Sequence, residues 1–549
     1  MNTPLATVLG YHERTKHHFQ RYAAGPHGLD WATQPEAFRT FAGSPQLALP
    51  LLGGGLPARY TDLYQTGRIA PQALTLANIA ALLELAFGLS AWKQFGDTRW
   101  ALRCNPSSGN LHPTEAYVVA QGWAGIADGV HHYLSRDHVL EQRCALEPAS
   151  EALLPAVSFL LGLSSIHWRE AWKYGERAYR YCQHDAGHAI AAARYAAAAL
   201  GWQAQVLTGW SDAAVAGILG LDRAADFGAA EREHPDVMLL VSVRSTPAAA
   251  ISPAPLLRAT AGGAWAGRAN VLSPHHAHDW PVIEEAAAAC NKPETQVPAW
   301  QAPVLPEPLP CAIEASGSEI IKQRRSAQEF DGVSSISAAA FYRMLDMTLP
   351  RRGVPPWDAI DWAPRVHLAL FVHRVEGLVP GVYLFLRNDQ VEARMRAELS
   401  AEFEWTRAEG SLEHFRLFRV MAADARQAAR ALSCHQDIAA DGAFSLGMLA
   451  EYESALAQGP WAYRQLFWEA GILGQALYLE AEAAGVRGTG IGCFFDDGVH
   501  DLLGIKGRWL QSLYHFTVGT PLADTRLQTL PPYAHLQRAQ LFPPLAKGG

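Results

Sequence analysis

The chain has 549 residues, 49% of them hydrophobic and 18% charged. That balance supports large buried cores and excludes disorder as the dominant state. At roughly 150 residues per domain the length allows about three or four domains. The net charge of −8 argues against broad binding to nucleic acid or to an anionic membrane. Seven cysteines lie scattered without a CxxC spacing, so the reading is reduced thiols, no metal knuckle and a cytoplasmic protein. The start lacks an apolar signal-peptide core, and no apolar run reaches membrane-spanning length.

Residues 1–50 form an N-terminal arm, expected to wrap one half of the protein. A helix is predicted over Leu74–Leu85 from its apolar spacing. The segment from Arg103 to Glu115 follows, rich in small polar residues, with Pro106, Ser107, Ser108, Gly109 and Asn110 at its centre. Hydroxyls and an amide held on a tight turn can hydrogen-bond the edge of a planar heterocycle with little ordering cost. A plain polar loop accounts for the same string. Strands are predicted over Glu115–Ala120 and Val130–Leu134. Lys173 and Tyr174 then sit side by side, a pair able to share a proton, although most such pairs are inert.

A long helix comes next, with nine alanines between His184 and Gly201. Alanine favours helix and lets two backbones approach closely. Asp185 and His188 stand one turn apart on it and read as a packed, mutually satisfied pair. A strand is predicted over Val237–Val243. From about residue 250 the sequence reads as loose, and residues 292–310 carry Pro293, Pro298, Pro303, Pro306, Pro308 and Pro310. Such a stretch behaves as a stiff spacer.

The second part of the chain repeats the first. Gly187 and Gly201 recur as Gly471 and Gly485, and Tyr179-Arg180 as Tyr463-Arg464, all displaced by 284 residues. Two domains, 51–250 and 311–549, joined by a linker at 251–310, follow from this register. Helices mixed with few strands indicate an α+β fold. In the second copy a helix is predicted over Ala338–Asp346 and strands over Val366–Val372, Val382–Leu386 and Tyr514–Val518. The copies differ where a ligand would bind. Copy two alone carries Arg324-Arg325-Ser326, a turn suited to gripping phosphate. It alone carries the glycine-rich Gly488-Thr-Gly490-Ile491-Gly492, where backbone N–H groups can approach a ligand. Ala457 and Gln458 replace Lys173 and Tyr174.

Together these motifs resemble the nitroreductase superfamily of flavoproteins, and within it the SagB-type branch that includes azoline dehydrogenases of modified-peptide biosynthesis. The resemblance implies two tandem nitroreductase-like domains forming an intrachain pseudo-dimer around FMN. It implies that Arg324, Arg325 and Ser326 clamp the phosphate, helped by Arg526 and Arg103. It implies that Pro106, Ser107, Ser108 and Asn110 face the flavin, and that Gly490, Ile491 and Gly492 contact the ring near N5. Lys173 or Tyr174 would take a proton while hydride passes to the flavin. One FMN per chain is expected, because each copy keeps a different half of the site. Three functions stay open: a dehydrogenase of a peptide azoline or related heterocycle; an NAD(P)H-dependent nitro or quinone reductase; and a flavin-binding, non-catalytic subunit of a biosynthetic complex. A monomer or a higher oligomer is compatible with all three.

Overall fold

The computed structural model describes residues 3–123, 125–147, 152–244, 251–296 and 300–536. Pro298 and the two ends of the chain assigned above to arm and second domain lie outside them. After helix α1 (Pro4–Arg14), α2 (Leu76–Phe87) leads into a hairpin of β1 (Leu89–Phe95) and β2 (Thr98–Arg103). Strands β3 (Thr114–Ala120), β4 (Gly129–Leu134), β5 (Val139–Ala145) and β6 (Ser158–Ser165) follow, then helices α3 (His167–Tyr174) and α4 (Ala178–Ala199). Strands β7 (Gln203–Val206) and β8 (His234–Ser242) complete the first half. Helix α5 (Pro281–Ala289) and helix α6 (Gly317–Gln323) introduce the second. Its strands are β9 (Val366–Val372), β10 (Gly381–Leu386), β11 (Arg416–Ala422), β12 (Phe444–Glu451), β13 (Arg487–Ile491) and β14 (Leu510–Gly519), with α7 (Ala462–Ala483) before β13.

The two sheets have the same topology. One runs β5-β4-β3-β6-β8-β7 and the other β11-β10-β9-β12-β14-β13, antiparallel throughout. The 284-residue displacement holds for both ends of the long helices, from Ala178 to Ala462 and from Ala199 to Ala483. A third, small sheet pairs the hairpin with β15 (Gln528–Leu530), so the end of the second half closes over the first.

Helices α4 and α7 pack backbone to backbone, and one hydrophobic core runs through both halves. Every residue of α4 is buried, which its run of small side chains permits. The contacts are reciprocal. A Cβ at Gly187 would collide with the Trp468 carbonyl, and one at Gly471 with the His184 carbonyl. Residues 187 and 471, and residues 184 and 468, are related by the same 284. Arg180 pairs with Asp496 at 2.7 Å while its counterpart Arg464 pairs with Asp212 at 2.6 Å. Asp212 and Asp496 each sit in the first turn of matching helices. Such i-to-j and j-to-i contacts are the geometry of a two-fold interface.

Two expectations are corrected. The arm does not wrap one half; it bridges both. The Tyr11 hydroxyl donates to the Glu176 carbonyl, His12 reaches Tyr463 and Gln511, and Lys16 pairs with Asp497 at 2.9 Å. The stretch from 251 to 290 is not loose. It forms the helix Pro253–Gly262 and α5, each opened by a proline where the missing N–H costs nothing, and it ends on fully buried Cys290.

Replacing Gly187 by Val is expected to lower the unfolding free energy, by on the order of 1–3 kcal/mol or more, and with it the urea midpoint, because carbonyl backbone cannot give way. Gly10→Ala in α1, where nothing lies within 4 Å of the new methyl, is expected to raise it slightly. Equal midpoints for the two variants would contradict the close helix contact.

Candidate functional site

A cavity of about 750 Å³ opens at the junction of the halves, a size suited to a small-molecule cofactor. The first half supplies Arg103 and the whole Pro106–Asn110 segment. The second supplies Arg324, Arg325, Ser326, Gly490, Ile491 and Gly492. Arg526 is not among the lining residues. It is exposed and forms a local ion pair with Asp524 at 2.8 Å, although Thr525 and Leu527 on either side line the cavity.

The polar turn is held by its own neighbours. Gly109, Asn110 and His112 adopt left-handed φ values of 57°, 59° and 53°. The His112 N–H donates to Ser107 Oγ at 2.8 Å, and Asn110 Nδ2 donates to the Ala101 carbonyl at 2.9 Å. Asp185, from α4, accepts from the Ser108 N–H at 3.0 Å and from its hydroxyl at 2.9 Å. The expected Asp185–His188 pair therefore does not form; His188 instead reaches the Tyr514 hydroxyl at 3.2 Å. Burial pushes the Asp185 carboxyl up to about 7, against the pull of the serine hydrogen bonds.

Tyr174 lines the cavity. Lys173 is not a lining residue, but its Nζ lies 5.3 Å from the Tyr174 ring centre. A Cβ at Gly109 would meet the Tyr174 hydroxyl at 2.5 Å and Lys173 Nζ at 3.1 Å. Glycine, at φ 57°, leaves room for the loop and the pair to come together without displacing either side chain. Burial, with Glu170, Tyr181 and Asp185 nearby, holds the Tyr174 phenol well above its ordinary range, so it is a proton donor at neutral pH.

The other end of the cavity is cationic. Arg324 is buried and donates to the carbonyls of Arg103 and Cys104, both at 3.1 Å, which ties the turn to the first half. Arg325 donates to the Lys322, Arg324 and Ser90 carbonyls. Burial and the adjacent Arg324 charge lower Arg325 to about 10. Lys93 and Arg487, which the motifs did not single out, line the same end. Burial, then the Arg325 and Arg487 charges, lowers Lys93 as well. Mutually repelling cations around a cavity favour an anion. At Gly490 the backbone is closely covered: its N–H donates to the Tyr478 hydroxyl at 2.9 Å, and a Cβ there would collide with the Tyr514 hydroxyl. The segment is strand β13 paired to β14, not a loop. Arg103 Nε, Asn105 Oδ1 and His112 Nδ1 are buried without a protein partner. A cationic end, a glycine-containing edge strand and spare polar atoms on the wall fit a phosphate-bearing planar heterocycle.

The related position in the other half is filled. Displaced by 284, Gly490–Gly492 corresponds to Val206–Thr208 and Asp185 to Glu469. Thr208 donates to Asp361 at 2.6 Å, and Thr295 of the connector donates its N–H to the Gly209 carbonyl at 3.0 Å. Glu469 accepts the N–H groups of Arg365 and Val366 and pairs with Arg387. A remnant of about 10 Å³ lies beside Trp362, Arg365 and Gln458.

Residues 70–230 match the Nitroreductase family model. That domain contains the polar turn, Lys173-Tyr174 and α4. Curated relatives include the provisionally named nitroreductase MJ1384 of Methanocaldococcus jannaschii, 27% identical over 21% of this chain and 59% of that one. They include the trifolitoxin-processing protein TfxB of Rhizobium leguminosarum bv. trifolii, 34% identical over 28% of this chain and 44% of its own. The matches thus span about half the length of these relatives. A crystal structure of a provisionally named nitroreductase from Anabaena variabilis shares the fold, with a TM-score of 0.67, 22% identity, and coverage of 94% of this chain and 99% of that one. Among the described residues no helix is long and apolar enough to cross a membrane.

A raised carboxyl favours the native state below its ordinary range and loses that advantage as pH rises through its native value. Asp185 should therefore cost stability between about pH 4 and about pH 7, by up to a few kcal/mol. Denaturant unfolding at pH 5 and pH 7.5 should show a smaller pH difference for Asp185→Asn than for the native chain. An unchanged difference would contradict the assignment.

Proposed function

We propose that the protein is an FMN-dependent oxidoreductase in which two nitroreductase-like halves, fused as an intrachain pseudo-dimer, build one composite site. The observation that carries this reading is the single cavity to which the Pro106–Asn110 turn comes from one half and Arg324–Ser326 and Gly490–Gly492 from the other. Arg324, Arg325, Arg487 and Lys93 would hold the phosphate. Ser107, Ser108, Asn110 and the Gly490–Gly492 edge would hold the ring, with Arg103 behind the turn. Bound FMN supplies a two-electron acceptor that the side chains lack. The filled second position supports one FMN per chain.

The substrate class we infer is a peptide azoline or a related heterocycle, in the manner of a SagB-type dehydrogenase. The Lys173–Tyr174 pair, held against Gly109, supports it. The similarity to a trifolitoxin-processing protein is consistent with a modified peptide. Tyr174, kept protonated by burial, would orient the substrate by donating a hydrogen bond. Lys173, as the neutral amine, would accept the proton from one ring carbon while the hydride of the other is taken up by the two-electron acceptor that bound FMN would supply. Asp185 fixes the turn that both residues face. A cytoplasmic location belongs to the same proposal.

Lys173→Ala should retain FMN at the native stoichiometry and lose substrate-driven bleaching of the flavin by about 10²-fold or more. Retained bleaching would remove Lys173 from the chemistry. Bleaching by NAD(P)H alone would favour the nitro or quinone reductase instead.

A further inference from the structure

The cysteines depart from the expectation of reduced thiols. Cys434 and Cys493, 59 residues apart, are joined in a disulfide, while Cys104, Cys144, Cys182 and Cys290 are buried free thiols and Cys311 is a partly exposed one. Cys493 follows directly on Gly492 and lines the cavity. Cys434 sits in the turn after the helix Arg426–Leu432. Both sulfur-bearing residues are partly exposed.

We propose that Cys434–Cys493 is a reversible thiol–disulfide exchange site for low-molecular-weight monothiols, set in the wall of the cavity. Three further observations carry it. Cys434 and His435 both hold left-handed φ values, 51° and 59°, a conformation that non-glycine residues adopt at a cost and that marks functional segments. The two segments are also tied without the sulfur bond. The Phe495 N–H donates to the Leu432 carbonyl at 2.8 Å, and Gln436 Nε2 donates to the Cys493 carbonyl at 3.2 Å. The disulfide is therefore not what holds this region together. Finally, the residue related to Cys493 by 284 is Gly209, so the pair is confined to the open cavity and absent from the filled one.

The chemistry balances within the named partners. A monothiol, as thiolate, attacks one sulfur of the pair; the S–S bond breaks and the departing cysteine thiolate takes a proton. A second monothiol attacks the mixed disulfide, releases the oxidised small molecule and leaves the second cysteine, which is protonated in turn. Two thiols are oxidised and one disulfide is reduced. Arg177 donates to the carbonyl of Gly492, the residue before Cys493, at 3.2 Å, and a cation close to a cysteine favours its thiolate. Reduction removes the covalent tether behind Ile491 and Gly492.

The test is native alkylation of the full chain across a series of reduced-to-oxidised glutathione ratios, with peptide mass spectrometry. Labelling should rise from Cys311 alone to Cys311, Cys434 and Cys493, the last two together, and fall again when oxidised glutathione is restored. Cys434→Ser should leave Cys493 labelled where reduced glutathione is in excess and carrying a single glutathione where oxidised glutathione is, with no internal bond at any ratio. Labelling of the pair without any thiol, resistance until the chain is unfolded, or failure to re-form the bond would each overturn the proposal. The readout needs no flavin, so a chain that binds no FMN would defeat the functional reading and leave this test intact.

Discussion

The approach of α4 to α7 through Gly187 and Gly471 is the constraint on which the rest depends. A methyl group at either position would strike backbone, so the two halves can meet in only one register. That register brings Tyr514 of β14 to His188. It also aligns Arg180 with Asp496 and Arg464 with Asp212, buried pairs whose loss on one side would strand a charge. The cavity is a consequence of this packing: neither half encloses it alone.

Divergence within a symmetric frame explains why one position is open and the other closed. The same backbone carries Gly490-Ile-Gly492 on one side and Val206-Leu-Thr208 on the other. Glycine puts no side chain at the cavity, while Thr208 and the connector close the related position. The connector, which composition alone marks as a spacer, is thus a packing element as well: Lys292 and Thr295 sit against Trp210 and Thr208. At the open cavity Lys93 and Arg325 are both lowered by burial and by their cationic neighbours.

Much of this was legible in the sequence because similar residues recur in it at a constant spacing of 284. The 284-residue spacing located both long helices, and small residues marked the surface where they touch. The polar turn, the Arg-Arg-Ser turn and the glycine-rich strand each stand out as a local string, so they could be read before the structure joined them. What escaped was non-local. Lys93 joins the site because β1 pairs with β15 over 400 residues away, and no string shows that pairing. Cys434 and Cys493 meet through the β-sheet and not through spacing. Arg526 follows the final long strand as the resemblance required, yet Asp524, two residues earlier, holds it outside. The arm was visible as an addition, but its bridging of both halves depends on buried partners such as Glu176 and Gln511.

The central claim is that both halves contribute to one flavin site, and flavin content per chain tests it most directly. The account predicts one FMN in the native chain, with roughly tenfold or greater loss of FMN affinity both in Gly109→Val, from the first half, and in Arg325→Ala, from the second. Two flavins per chain, or a site that only one of these changes weakens, would contradict it.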